Sequence, residues 1–133
     1  MNMFFEESLF YLAIAFPWLA FTVNIKFFHG KYKLFFVLSS LVFVYLTLML
    51  QVYLINVRLE SELYVFDING DGVFSGTEIN SAQEEAMLAV VSDTGRAMAP
   101  ITGAIFSVLY SSITFVICFS LSWLWSKFRV KRI

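Results

Sequence analysis

Three stretches of this chain run for about 20 residues with no ionised side chain in their interiors, the length at which an α-helix rising 1.5 Å per residue crosses a hydrocarbon layer. They are Leu9 to about Phe28, Leu34 to Ile55, and about Ile101 to Trp125. The second is 22 residues long and is interrupted only by Ser39, Ser40, Thr47 and Gln51. Backbone in hydrocarbon must satisfy its hydrogen bonds within its own segment, so runs of this length and composition predict helices. A water-soluble alternative fails on composition. Of the 133 residues, 59% are hydrophobic and 14% charged, with mean hydropathy +0.77, against a globular norm near 25% charged. So few charges do not cover the solvated surface of a domain this size. The same apolarity excludes intrinsic disorder. A net charge of -1 excludes a basic nucleic-acid binder, and the single cysteine, Cys118, excludes a disulfide framework. The first run is not read as a cleaved signal peptide. Glu6 and Glu7, and no basic residue, precede it, and it is longer than the usual apolar core of about 7–15 residues.

The expected fold is an all-α membrane protein of three transmembrane helices. Residues 1–56 hold the first two spans and a short basic loop, 57–97 a polar helical hairpin, and 98–133 the third span and a basic tail. Basic loops stay on the cytoplasmic side. Lys26, Lys31, Lys33, Lys127, Arg129, Lys131 and Arg132 fall at one end of such a bundle, and only Arg58 and Arg96 at the other. That count places the loop and the C-terminus in the cytoplasm, and the N-terminus and residues 57–97 outside it. Trp123 and Trp125, just before the basic tail, suit the aromatic belt at the inner interface. The compactness of the chain suggests the inner membrane of a bacterium. His29 and Gly30, in the short basic loop, read as turn residues at the interface. Pro17 should kink the first span and free the carbonyl of Ala13. Ala99, Gly103, Ser107 and Ser111 recur every fourth residue in the third, a ridge along which a second helix, from this chain or another copy, can approach closely.

The one sharp chemical signal lies in the hairpin. From Asp67 the chain reads Asp-Ile-Asn-Gly-Asp-Gly-Val-Phe-Ser-Gly-Thr-Glu, ending at Glu78. Oxygen-bearing side chains stand at positions 1, 3, 5, 9 and 12 of twelve: Asp67, Asn69, Asp71, Ser75 and Glu78. A hard cation such as Ca²⁺ takes six to eight oxygens, and this spacing can wrap them around one ion. Gly72 permits the sharp turn at position 6, Val73 offers a backbone carbonyl at position 7, and Glu78 offers two oxygens. A plainer reading is also open, a polar turn in which Ser75 and Glu78 form a helix capping box. Leu59, Leu63 and Phe66 before the loop, and Ile79, Ala82, Ala86 and Val90 after it, recur at helical spacing.

The loop resembles the EF-hand family at each ligand position. The resemblance covers about 30 residues and implies a Ca²⁺ site made by Asp67, Asn69, Asp71, Val73, Ser75 and Glu78, with an exit helix from about Gly76 to Val91. It also implies that Phe74, at position 8, pairs with a partner loop through a short strand. EF-hands come in pairs and this chain has one, so the resemblance points to self-association, residue 74 against residue 74, or to a larger membrane complex.

The expected function is Ca²⁺ binding outside the cytoplasm, with the ion stabilising or switching the arrangement of the second and third spans. The alternative is an ion-channel or transport-accessory subunit of an oligomer, gated by Ca²⁺. An enzyme is not expected. The sequence has no intramembrane acid pair, histidine cluster, nucleophile triad or phosphate-binding glycine loop, and a full EF-hand saturates its ion with protein oxygens. Asp93 and Arg96 read as a weak surface pair in a hinge that runs from Ser92 through Gly95 to Pro100.

Overall fold

The computed structural model describes residues 3–92 and 94–130. The chain forms helix α1 (Met3–Phe28), helix α2 (Lys33–Tyr64), a 3₁₀ turn (Gly76–Glu78), helix α3 (Ser81–Val91) and helix α4 (Thr94–Val130), with no strand among the described residues. Three of its helical segments are long and apolar enough to cross a membrane: Glu7–Phe28, Lys33–Tyr64, and the α3–α4 stretch Ser81–Trp125.

α1 and α2 are joined by a tight reversal. His29 and Gly30 both adopt left-handed backbone, with φ of 52° and 74°, and the Gly30 N–H returns to the Asn24 carbonyl at 2.9 Å. The two helices are therefore antiparallel, and Phe16 stacks on Phe43 with ring centroids 3.8 Å apart. Phe21 meets Phe115 and Phe119 edge-on, and Tyr110 reaches Ile14, so α4 runs in the same direction as α1.

The interior is assembled from small and polar residues. α1 turns Leu9, Ala13, Pro17, Ala20 and Asn24 inward, α2 turns Ser40, Val44 and Thr47, and α4 turns Ala99, Ser107, Ser111, Thr114, Phe115 and Cys118. Large apolar side chains such as Tyr11, Leu19, Leu34, Leu46, Ile105 and Val116 face outward. A soluble protein does the reverse. In lipid there is no gain in hiding apolar groups from the solvent, and helix association depends on close van der Waals contact, which small residues permit. The ridge on α4 is thus consumed within the chain. A Cβ on Gly103 would lie 2.9 Å from the Met49 side-chain tip, so a glycine there brings α4 close against α2. The hydroxyls of Ser40, Thr47 and Ser107 donate to carbonyls of their own helices, Phe36, Phe43 and Ala104.

The proline in α1 is serviced by its neighbour. Pro17 has no N–H to give the Ala13 carbonyl and loosens the turn around it. The polar group that arrives there is the Tyr110 hydroxyl, which donates to the next carbonyl along, Ile14, at 2.7 Å and accepts from Trp18 Nε1 at 3.2 Å. Tyr110→Phe removes that donor while keeping the ring. The expected cost is about 1 kcal/mol, the scale of an interhelical hydrogen bond in a membrane, read as a lower melting temperature in detergent.

α2 is one unbroken helix of 32 residues, roughly 48 Å at 1.5 Å per residue. A hydrocarbon core is about 30 Å thick, so the helix is long enough to cross one and carry its last turns beyond it. The expected hinge is shorter than its sequence suggested. α4 begins at Thr94 and carries Gly95 and Pro100 inside it, leaving the break at the end of α3. Asp93, one half of the expected surface pair, lies outside the described residues.

Candidate metal centre

The loop starts where α2 stops. Val65, which caps the end of α2, keeps helical backbone, and the N–H groups of Phe66 and Asp67 close onto the carbonyls of Leu63 and Tyr64. From there each acidic side chain collects backbone N–H donors. Asp67 Oδ1 accepts from Gly70 N–H at 2.8 Å and its Oδ2 from Gly72 N–H at 2.9 Å. Asn69 Oδ1 accepts from Asp71 N–H at 3.0 Å, and Asp71 Oδ1 from Val73 N–H at 2.8 Å. Asn69 Nδ2 donates to Asp71 Oδ2 at 3.0 Å. Gly70 and Gly72 have φ of 72° and 76°, the left-handed conformation that a side chain resists. The turn expected at Gly72 is therefore formed.

Glu78 is the buried member of the set, 5% exposed. Its Oε1 accepts from the N–H groups of Ile68 and Asn69 at 3.0 and 3.2 Å, and its Oε2 from Ser75 N–H at 3.0 Å. One carboxylate thus ties the beginning of the loop to its end. Ser75 and Glu78 also form a capping box around the 3₁₀ turn, so the plainer sequence reading is realised as well. A carboxylate oxygen has two lone pairs: Glu78 Oε2, with one N–H bond, keeps one available to a cation, while Oε1, with two, has both engaged.

The side chains do not close around a point. Among the described residues no three His, Cys, Asp or Glu side chains are grouped to hold a metal ion. Asp67, Asp71 and Glu78 are spread around the ring by their N–H partners. Two further features depart from the expected EF-hand geometry. The exit helix does not begin at Gly76: Ile79 is extended, and α3 begins at Ser81 behind Asn80, whose Oδ1 accepts from the N–H groups of Ala82 and Gln83. The periodic set after the loop is realised in its second half, at Ala86 and Val90. Ile79 and Ala82 are exposed, and the inward face of α3 carries Gln83, Ala86, Met87 and Val90. Phe74 belongs to no strand; it lies half-buried in a groove with Ile79, Gln83, Glu84, Met87 and Leu88.

α3 packs against α2, and Arg96, which sequence reasoning assigned to the surface, ties α2, α3 and α4 together. From the first turn of α4 its guanidinium donates to Asn56 Oδ1 on α2 at 2.7 Å and to the carbonyls of Ala89 and Val90 at the end of α3. Those carbonyls are the ones a helix leaves unpaired at its C-terminus, where a cation is also favoured by the helix dipole. The cap at Asn80 was readable in advance, because Asn followed three residues later by Gln is an N-terminal signature. Nothing local pairs Arg96 with Asn56, 40 residues away. Compared with known proteins, the chain matches no family model, no curated protein and no solved structure.

Proposed function

We propose that this chain is a small integral membrane protein that binds Ca²⁺ through Asp67, Asn69, Asp71, Val73, Ser75 and Glu78, and that the ion sets how the hairpin sits on α2 and α4. The observation that supports this most directly is the loop itself. Its oxygen side chains are ordered at the ligand positions by backbone N–H groups, and Glu78 links both ends of the ring. Ion binding then requires the side chains of Asp71 and Glu78 to turn toward a common centre, a rearrangement within a loop whose backbone turn is already made. Arg96 connects the far end of α3 to both spans, so tension in the loop reaches them through a short path. The basic residue count supports a hairpin outside the cytoplasm, where calcium modules work at roughly 10⁻⁴ to 10⁻³ M.

Calorimetric titration of the purified protein tests the binding. One ion per chain at sub-millimolar to millimolar affinity is expected, and no heat of binding up to 10-fold above that range would refute the site. Thiol labelling tests the compartment. In a Cys118→Ser background, Ser81→Cys should react with an impermeant reagent in intact cells and Ser126→Cys should not. The opposite pattern would place the loop in the cytosol.

A further inference from the structure

We propose that the basic end of the bundle is a binding site for an anionic phospholipid, with an acyl chain lying in an aromatic notch at the α1–α2 turn and the phosphate held by Lys31. The notch has a volume of about 310 Å³ and is walled by Phe28, Tyr32, Phe35 and Phe36. Phe28 packs edge-on against Tyr32 at 5.4 Å between centroids and lies tilted against Phe36 at 5.6 Å, which holds the walls in place. Apart from the Tyr32 hydroxyl the lining is hydrocarbon, and it accepts an alkyl chain.

Its position supplies the headgroup. The apolar run of α2 begins at Leu34, so Phe35 and Phe36 lie just inside the hydrocarbon edge while Lys31 lies at the polar side of it. The Lys31 ammonium is 5.7 Å from the centroid of the Tyr32 ring, itself a wall of the notch. Lys26 and Lys33 add positive charge from either side of the turn, over Phe27 and Phe119. No acidic residue occurs between Glu7 and Glu60 or from Thr94 to Ile133, so no Asp or Glu side chain close in sequence to these lysines offsets their charge.

Other occupants fit less of this. A soluble anion has no use for four aromatic walls. A second copy would bring the same unneutralised cations against these. A phosphatidylcholine fills the notch, but its choline offsets the phosphate that the lysines attract. Each lysine near an anionic surface contributes about 1 kcal/mol, or roughly five-fold in occupancy.

The test is native mass spectrometry of protein extracted from vesicles of equal parts phosphatidylglycerol and phosphatidylcholine. Wild-type protein should retain phosphatidylglycerol over phosphatidylcholine by about five-fold or more. Lys31→Gln should lose most of that preference, Lys31→Arg should keep it, and Phe35→Ala should retain less lipid of both kinds. Lys127→Gln, whose ammonium lies over Trp123 on α4, should behave as wild type, and millimolar inorganic phosphate should not displace the lipid. Equal retention of the two lipids by wild type would overturn the site. So would an equal loss of preference in Lys127→Gln and Lys31→Gln, which would indicate a diffuse basic surface. None of these readouts depends on calcium, so the result stands apart from that of the metal centre.

Discussion

Millimolar Ca²⁺ should raise the melting temperature of the detergent-solubilised protein by several degrees, and Glu78→Gln should remove most of that rise. A ligand at concentration c that binds only the folded state stabilises by RT ln(1 + c/Kd), about 1.4 kcal/mol at ten times its dissociation constant, the ratio that 1 mM Ca²⁺ gives a site of about 10⁻⁴ M. Glu78 is the residue of choice because its two effects separate. In chelator its carboxylate already accepts three backbone N–H groups from Ile68, Asn69 and Ser75. Glutamine keeps one acceptor oxygen and turns an NH₂ toward donors, so the variant should melt lower even without calcium, by about 1–3 kcal/mol for the buried groups left unmatched. The calcium response is a further difference measured on top of that lower baseline. Asp71→Ala provides the complement. Asp71 is exposed, so its loss should barely alter the baseline while weakening the calcium response. Identical curves for wild type in chelator and in millimolar Ca²⁺ would refute the calcium proposal and leave Glu78 as a structural clamp alone.

Arg96→Ala should loosen the hairpin from the spans, with a loss of about 2–3 kcal/mol for charge-assisted hydrogen bonds to Asn56 and to the carbonyls of Ala89 and Val90. Arg96→Lys should recover only part of it, since a single ammonium does not span two helices as a planar guanidinium fork does. Hydrogen exchange locates the effect. Amides of α3 (Ser81–Val91) should exchange faster in Arg96→Ala, while those at the α1–α4 contact near Tyr110 should not. On the calcium proposal, the ion should still bind this variant but protect only the loop. Undiminished calcium protection of residues in α2 and α4 would show that the coupling runs elsewhere.

Much of the fold was legible because a bilayer imposes so few options. A run such as Leu34–Ile55 can only be a helix in hydrocarbon, and the structure extends it without a break to Tyr64. The loop was legible in its turn chemistry, since Gly70 and Gly72 occupy left-handed conformations that few other residues accept. Its side-chain geometry was not. The spacing of Asp67, Asp71 and Glu78 is compatible both with a common centre and with separate N–H partners, and spacing alone does not choose. The start of α3 was misplaced for a local reason: the extended residues Ile79 and Asn80 insert between the 3₁₀ turn and the helix, so Ile79 and Ala82 miss the inward face that Ala86 and Val90 share.

The sequence by itself determined which parts of the chain are helical, which are long and apolar enough to cross a membrane and where oxygen ligands could be offered. These follow from hydropathy, backbone satisfaction and turn residues that act within a few positions. Which surfaces meet was decided only in three dimensions. The four-residue ridge on α4 could have faced another copy as well as its own chain, and Gly103 lies against Met49 because α2 happens to present that groove. Tyr110 reaches the turn beside Pro17, and Arg96 reaches Asn56, across 96 and 40 residues of sequence. Such pairings follow from the register of packed helices, and register is a sum over many weak contacts that no single stretch of residues encodes.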